Sequence, residues 1–183
     1  MQFLMFAASL QQNSVNKKLI NLAAKLTKNA GHEADLADFN EFDLPLYNAD
    51  IQNQGFPSNV THFITRMQKA KGLIISSPEY NFSMPGTLKN LIDWVSRVSP
   101  MPWQKQNILL LSASPSLVGG NRGLWCTRIP LECCGALVYP DMFSLASANQ
   151  AFADDGQLHD AQLQTRLTNT LNGFFSLVEK LST

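Results

Sequence analysis

Residues 76–97, SSPEYNFSMPGTLKNLIDWVSR, set the tightest limit on what this chain can fold into. They are entered through Gly72-Leu73-Ile74-Ile75, a short apolar run of strand length, partly β-branched. They leave through Leu88, Leu91, Ile92 and Val95, whose i, i+3, i+4, i+7 spacing is one buried face of a helix. Pro85 falls in the first turn of that helix, where a missing N–H costs nothing. Between strand and helix, Pro78-Glu79-Tyr80-Asn81-Phe82-Ser83 is too polar and too stiff for a simple connector. A strand that ends in such a loop and turns into a helix is how open α/β sheets build ligand sites.

The rest of the chain repeats that rhythm. Phe3 to Ala8 reads as a buried strand, and Leu19, Leu22, Ala23 and Leu26 mark a helix that Gly31 closes. Ala34 to Phe39 is a second strand, residues 43–47 a loop, and Asn48 to Asn59, polar with Gly55 and Pro57, a surface connection. Val60 to Ala70 is a helix leading into the strand Gly72 to Ser76. After a break at residues 99–102, Asn107 to Ser112 is the fourth strand, followed by a loop with Pro115 and Gly119-Gly120 and a helix through Cys133. Ala136 to Tyr139 is the fifth strand, Asp154-Asp155-Gly156 a turn, and Leu163, Leu167, Leu171, Phe174, Val178 and Leu181 the face of a long final helix. Apolar strands alternating with helices imply a parallel sheet covered on both faces, one domain over residues 1–183. With right-handed crossovers the order 2-1-3-4-5 fits, which puts a ligand at the switch point between the first and third strands.

Composition narrows the partners. Fourteen basic residues cancel 14 acidic ones, so no electrostatic footprint for nucleic acid or an anionic membrane surface exists. The apolar start, Met1 to Phe6, is too short to span a membrane and has no basic lead or cleavage site, which points to a cytoplasmic protein. Three cysteines, two of them adjacent, have neither disulfide nor zinc spacing and read as packing residues. His32, His62 and His159 are dispersed, and no metal cluster, paired-carboxylate site or Ser-His-Asp set can be assembled.

The central stretch closely resembles the second flavin loop of the NADPH-dependent FMN reductase family, roughly (S/T)-P-E-Y-N-x-(S/G)-x-P-G-x-L-K-N-x-I-D-W-x-S-R. Pro78, Glu79, Tyr80, Asn81, Pro85, Gly86, Leu88, Lys89, Asn90, Ile92, Asp93, Trp94, Ser96 and Arg97 all match. The resemblance implies a flavodoxin-like, doubly wound five-stranded sheet that binds FMN. It also implies a ping-pong reductase that takes hydride from NADPH or NADH and passes electrons to a quinone, azo, flavin or metal-oxyanion acceptor.

Residues 9–16, SLQQNSVN, join the first strand to the first helix. Their hydroxyls, amides and free N–H groups suit a phosphate. The stretch resembles the family's G-S-x-R-x-x-S-x-N phosphate loop, with Ser9, Ser14 and Asn16 in place and Val15 between the last two. Ala8 and Gln11 depart from it, standing for glycine and arginine. An arginine so lost removes a charge-assisted contact of about 1.5–3 kcal/mol unless a cation such as Lys17 or Lys18 replaces it. Ser14 could equally be only an N-cap. Pro78 to Asn81 would pass along the ring edge and ribityl chain, with Tyr80 against the ring or, alternatively, in a core or subunit contact, and Glu79 as a positioning group. Ser114, in the loop after the fourth strand, is the remaining candidate contact. Chemistry would lie with the cofactor, so no catalytic side chain is named. FMN is expected over FAD because no G-x-G-x-x-G follows a strand.

A flavodoxin-like electron carrier without turnover of its own is the main rival; such carriers are strongly acidic, and this chain is not. A family member that has lost flavin is the second. Asp93 and Arg97, four apart, read as an ion pair. Phe82, Met84, Trp94, Met101 and Trp103 exceed what one helix face can bury and are expected to form an exposed apolar patch, the interface of a homodimer or homotetramer.

Overall fold

The computed structural model describes residues 1–182. Chain order is β1 (Gln2–Ala7), α1 (Val15–Asn29), β2 (Glu33–Ala37), α2 (Ala49–Gln54), α3 (Ser58–Lys69), β3 (Gly72–Ser76) and α4 (Gly86–Val95). It continues through β4 (Asn107–Ala113), α5 (Asn121–Cys133), β5 (Leu137–Val138), β6 (Phe143–Leu145) and α6 (Ala161–Ser182). All strands are parallel, in the order β2-β1-β3-β4-β5, with β6 also paired to β4.

The two-residue period of the strands sorts side chains into two cores. Leu4, Phe6, Leu73, Ile75, Ile108 and Leu110 face α3, α4 and α5, while Phe3, Met5, Ile74, Leu109 and Leu111 face α1 and α6. The expected five-stranded order is present. The fifth strand, expected over Ala136 to Tyr139, is shorter, Leu137–Val138, and a sixth strand that was not expected, Phe143–Leu145, follows it. Pro140 has no N–H to give to a ladder, so pairing with β4 stops at Val138 and resumes at Phe143. Arg128 donates to the carbonyls at the break, reaching Tyr139 O at 2.9 Å and Val138 O at 3.2 Å.

Three other expectations need correction. The second strand ends at Ala37, because Asp38 and Glu41 form a capping box that turns residues 39–42 into a 3-10 helix. The supposed connection from Asn48 to Asn59 contains α2, capped by Asn48 Oδ1 accepting from Asp50 N at 2.8 Å; it buries no residue, so it has no apolar period to detect. Trp94 and Trp103 are fully buried and form no surface patch. Trp94 Nε1 donates to Pro45 O at 2.7 Å and Trp103 Nε1 to Ile92 O at 3.3 Å, so α4 is covered by the sheet on one side and the 43–47 loop on another.

Candidate functional site

Register brings the carboxyl ends of β1, β3 and β4 level, with Ala7 opposite Ser76 and Ser76 opposite Leu111. The loops that follow these strands therefore meet at one edge, where the strand order reverses. Asn16 fastens them. Its Nδ2 donates to Ala113 O at 2.8 Å, and its Oδ1 accepts from Ala113 N and from Ser76 Oγ, each at 2.9 Å. One side chain in the first turn of α1 thus ties the ends of β3 and β4, and it is 2% exposed. Sequence reasoning placed Asn16 at the ligand; the structure gives its amide a scaffolding task beside the cavity.

The cavity at this edge has a volume of about 240 Å³. From the first loop Ser9, Gln11, Ser14, Val15 and Asn16 line it, from the second Pro78, Glu79 and Tyr80, and from the third Ser114. Asn13, Ala113 and Pro115 complete the wall and were not singled out from the sequence, though each adjoins a residue that was. Asn81 is the one candidate outside the lining. It occupies, with Phe82, the two left-handed positions of a two-residue hairpin, φ 51° and 63°, closed by reciprocal Tyr80–Ser83 backbone bonds of 2.9 and 3.0 Å. Asparagine tolerates that conformation, so the turn itself accounts for the residue type.

Ser14 does cap α1, its Oγ accepting from Asn16 N at 3.2 Å. The N–H groups of Gln12, Asn13 and Val15 donate to no acceptor among the described residues. Free donors at the positive end of a 15-residue helix are the kind of group that suits an anion. Neither lysine weighed as a substitute for arginine lines this cavity. Lys17 Nζ lies 3.4 Å from Asp38 Oδ1, and Lys18 Nζ is 6.0 Å from the centre of the Phe152 ring. The donor set at the cradle is neutral.

Glu79 has a definite partner. Its Oε2 accepts from Gly123 N at 2.8 Å, in the first turn of α5, whose N-cap Gly120 has no side chain to offer. A carboxylate at a helix start is favoured by the dipole, so Glu79 caps α5 from another loop and fixes Pro78 to Tyr80 against it. The approach at Gly123 is close: a Cβ there would lie 3.0 Å from Glu79 Cβ and 3.2 Å from its Cα, so Glu79 would have to give by a few tenths of an ångström. Ser114 is held by β6 and by its own loop: its N–H donates to Leu145 O at 3.0 Å, and its Oγ lies 3.1 Å from Ser116 Oγ. Asp93 does not pair with Arg97. It meets Lys89 Nζ at 2.8 Å, while the Arg97 guanidinium sits 5.1 Å from the centre of the Tyr47 ring.

A second cavity of about 390 Å³ opens beside the first and shares Ser9, Gln11 and Tyr80 with it. A larger cavity, about 480 Å³, lies apart between α1 and residues 152–156. It touches no strand end, and Lys18 and Lys25 on its wall are offset by Asp154 and Asp155, so it has no net charge to attract an ionic ligand.

The chain resembles known proteins along most of its length. It is 33% identical over 142 residues to a quinone reductase of Escherichia coli K12, covering 76% of each chain. It is 32% identical over 182 residues to an NAD(P)H-dependent FMN reductase of Pseudomonas aeruginosa, covering 96% of this chain and 94% of that one. Among solved structures, the flavoenzyme NAD(P)H:(acceptor) oxidoreductase FerB of Paracoccus denitrificans superposes with a TM-score of 0.83 at 25% identity, covering 98% of this chain and 97% of that one. The family described as NADPH-dependent FMN reductase matches residues 1–150, which span all three loops of the cavity. The chain is a member of that family of flavin-dependent oxidoreductases, folded as a flavodoxin-like sheet.

Proposed function

We propose that the cavity at the carboxyl ends of β1, β3 and β4 holds FMN, and that the protein reduces a small-molecule acceptor with electrons from NADPH or NADH. The observation that carries this reading is the convergence of three separate loops, residues 9–16, 78–80 and 113–115, on one cavity at the switch point of the sheet. The residues fit the group. Unpartnered N–H groups of Asn13 and Val15, with the Ser9 and Ser14 hydroxyls, suit the phosphate, and exposed Tyr80 offers a flat face to a ring. When bound, the flavin supplies hydride acceptance and electron release. The protein binds and orients it: Asn16 sets the loops' separation, Glu79 fixes the second loop on α5, and Ser114 lies in a loop stapled to β6. Quinone, azo, flavin and metal-oxyanion compounds are the acceptor classes to assay. Denaturing the purified protein and identifying the flavin released tests the reading. FMN is expected; FAD, or no uptake of FMN by the apoprotein, would overturn it.

The working unit in this reading is a cytoplasmic homodimer, or a tetramer built from it. The apolar surface that supports it keeps Phe82 from the set the sequence suggested, but not Trp94 or Trp103, which are buried. Trp125 and Ile129, four apart on α5, are both exposed, Ile129 by 70%. The Phe82 turn lies against the same helix, its carbonyl accepting from Cys126 Sγ at 3.2 Å and the centre of its ring 4.4 Å from the Arg122 guanidinium. Arginine and aromatic groups together are typical of interface centres. Light scattering gives the answer: a mass near 20.3 kDa rejects the dimer.

A further inference from the structure

The loop of residues 43–47 packs on α4, yet it holds a leucine out in water. Three of the loop's backbone groups on either side of Leu46 are fastened from α4. Tyr47 N donates to Asn90 Oδ1 at 2.8 Å, and Pro45 O accepts from Asn90 Nδ2 at 2.9 Å and from Trp94 Nε1 at 2.7 Å. Leu44 O takes a further bond from Asn90 Nδ2 at 3.3 Å, and the Tyr47 ring packs edge-on against Trp94 with centroids 5.1 Å apart. Between these fixed points Leu46 is 82% exposed. A leucine on a mobile loop can fold back onto the protein; one on a clamped loop keeps its place at the rim. It stands at the mouth of the 390 Å³ cavity, with Leu10, also exposed, on the same lining.

The rest of that cavity has one character. Tyr80, Pro85 and Thr87 face it along with the two leucines, and no charged side chain lines it. Its continuity with the proposed flavin cavity runs through Ser9, Gln11 and Tyr80. A planar uncharged molecule entering there covers both leucines and leaves no buried charge unpaired. A sulfonate or oxyanion would lose hydration with no cation to meet it.

We infer that Leu46, held in place by Asn90, is the residue that selects the electron acceptor, favouring neutral quinones over anionic acceptors. The inference rests on the flavin reading above. Leu46 is a specificity residue that contacts the acceptor, and Asn90 a positioning residue that acts through the loop.

Menadione, as neutral probe, and a sulfonated naphthoquinone, as anionic probe, test this on the FMN-loaded protein by steady-state kinetics and by calorimetric titration. Leu46→Ala removes most of one leucine's burial and is expected to raise both KM and Kd for menadione about tenfold, with the sulfonate little changed. Leu46→Lys should reverse the order of the two acceptors. Asn90→Ala should raise the menadione KM in the same direction, and Asn90→Asp, which keeps an acceptor for Tyr47 N, should recover part of it. Unaltered constants for both probes in both Leu46 variants overturn the inference while leaving the flavin reading intact. A parallel loss of FMN affinity in Leu46→Ala, read by flavin fluorescence, also overturns it, since Leu46 would then serve the cofactor. So does a lower assembled mass of Leu46→Lys with acceptor constants unmoved, which would make Leu46 a subunit contact. Failure of the unaltered protein to bind FMN removes the functional reading and this inference together.

Discussion

The two ends of the sheet are closed by different chemistry. At the amino ends, Phe3 sits among Phe174, Phe175 and His32, with ring centroids 4.9 to 5.7 Å from its own. Gly72 opens β3 there because a Cβ would lie 3.0 Å from Phe174 Cζ and 3.1 Å from Asn107 O. At the carboxyl ends the closing groups are Asn16, Ser76, Ser14 and Glu79, joined by hydrogen bonds around a cavity. Aromatic packing tolerates no gap, whereas directional bonds can hold loops apart and leave space between them. Rings pack both ends, Phe6 of β1 meeting Phe39, Phe42 and Phe63 on one face of the sheet, but only at the carboxyl ends do directional bonds hold an open, polar edge.

The sharpest way to break that division is Asn16→Ala. It leaves Ser76 Oγ, Ala113 N and Ala113 O without their partner in a buried place. Each such group costs about 1–3 kcal/mol, so a loss of about 3 kcal/mol or more is expected in urea unfolding. A loss under about 1 kcal/mol would mean that the strand ends are held by something other than this amide.

Next in size is the link between the second loop and α5. Glu79→Ala removes the side-chain cap on that helix start and should cost about 1–2 kcal/mol. Gly123→Ala keeps the carboxylate but pushes on its stem, so flavin affinity should fall more than stability does. Equal losses in unfolding and in flavin titration for both variants would make Glu79 a helix cap alone, with no hold on the loop.

A smaller effect separates the neutral cradle from a charged one. Gln11 lines the cavity, and no cationic side chain does. Gln11→Arg should tighten FMN, tenfold for each 1.4 kcal/mol gained, as read by fluorescence titration of the apoprotein. Unchanged or weaker affinity with the fold intact would place the phosphate away from residue 11.

What could be read from the sequence follows the same division. The buried strands were legible because Phe3 to Ala7, Leu73 to Ile75 and Ile108 to Leu111 are continuous apolar runs, and the strand order followed from their alternation with helices. The cavity residues were legible because the 78–97 motif and the 9–16 loop carry fixed residue types at fixed spacing; nine of the ten candidates line one space. Helix α2 escaped because six residues with Ile51 as their one large apolar side chain show no period. The buried tryptophans escaped because Trp94 is covered by a loop 47 to 51 residues earlier in the chain, and spacing along a helix does not report such cover. Leu46 escaped for the same reason: what fixes it is Asn90, far along the sequence.

The smallest expected effect tests the aromatic end. His32 lies between Phe3 and Phe175, with centroids 5.6 and 4.5 Å away, and 3.5 Å from the Met1 amine. Burial first, and then the positive amino terminus, lower its pKa from the ordinary 6.5, against an opposing pull from Glu179. The unfolded chain therefore takes up this proton at a higher pH than the folded one. Above 6.5 both states are neutral at His32 and its contribution is fully present; as pH falls through 6.5 toward the lower folded pKa, stability is lost, and below that it is lost no further. The imidazole is partly open to solvent, so the loss is small. His32→Phe keeps the ring packing and removes the titration. Urea midpoints measured at several pH values between neutral and mildly acid should fall more steeply for the unaltered protein than for the variant. Identical slopes would show that the aromatic end does not sense the charge, and that its packing is looser around the imidazole than around the phenyl rings.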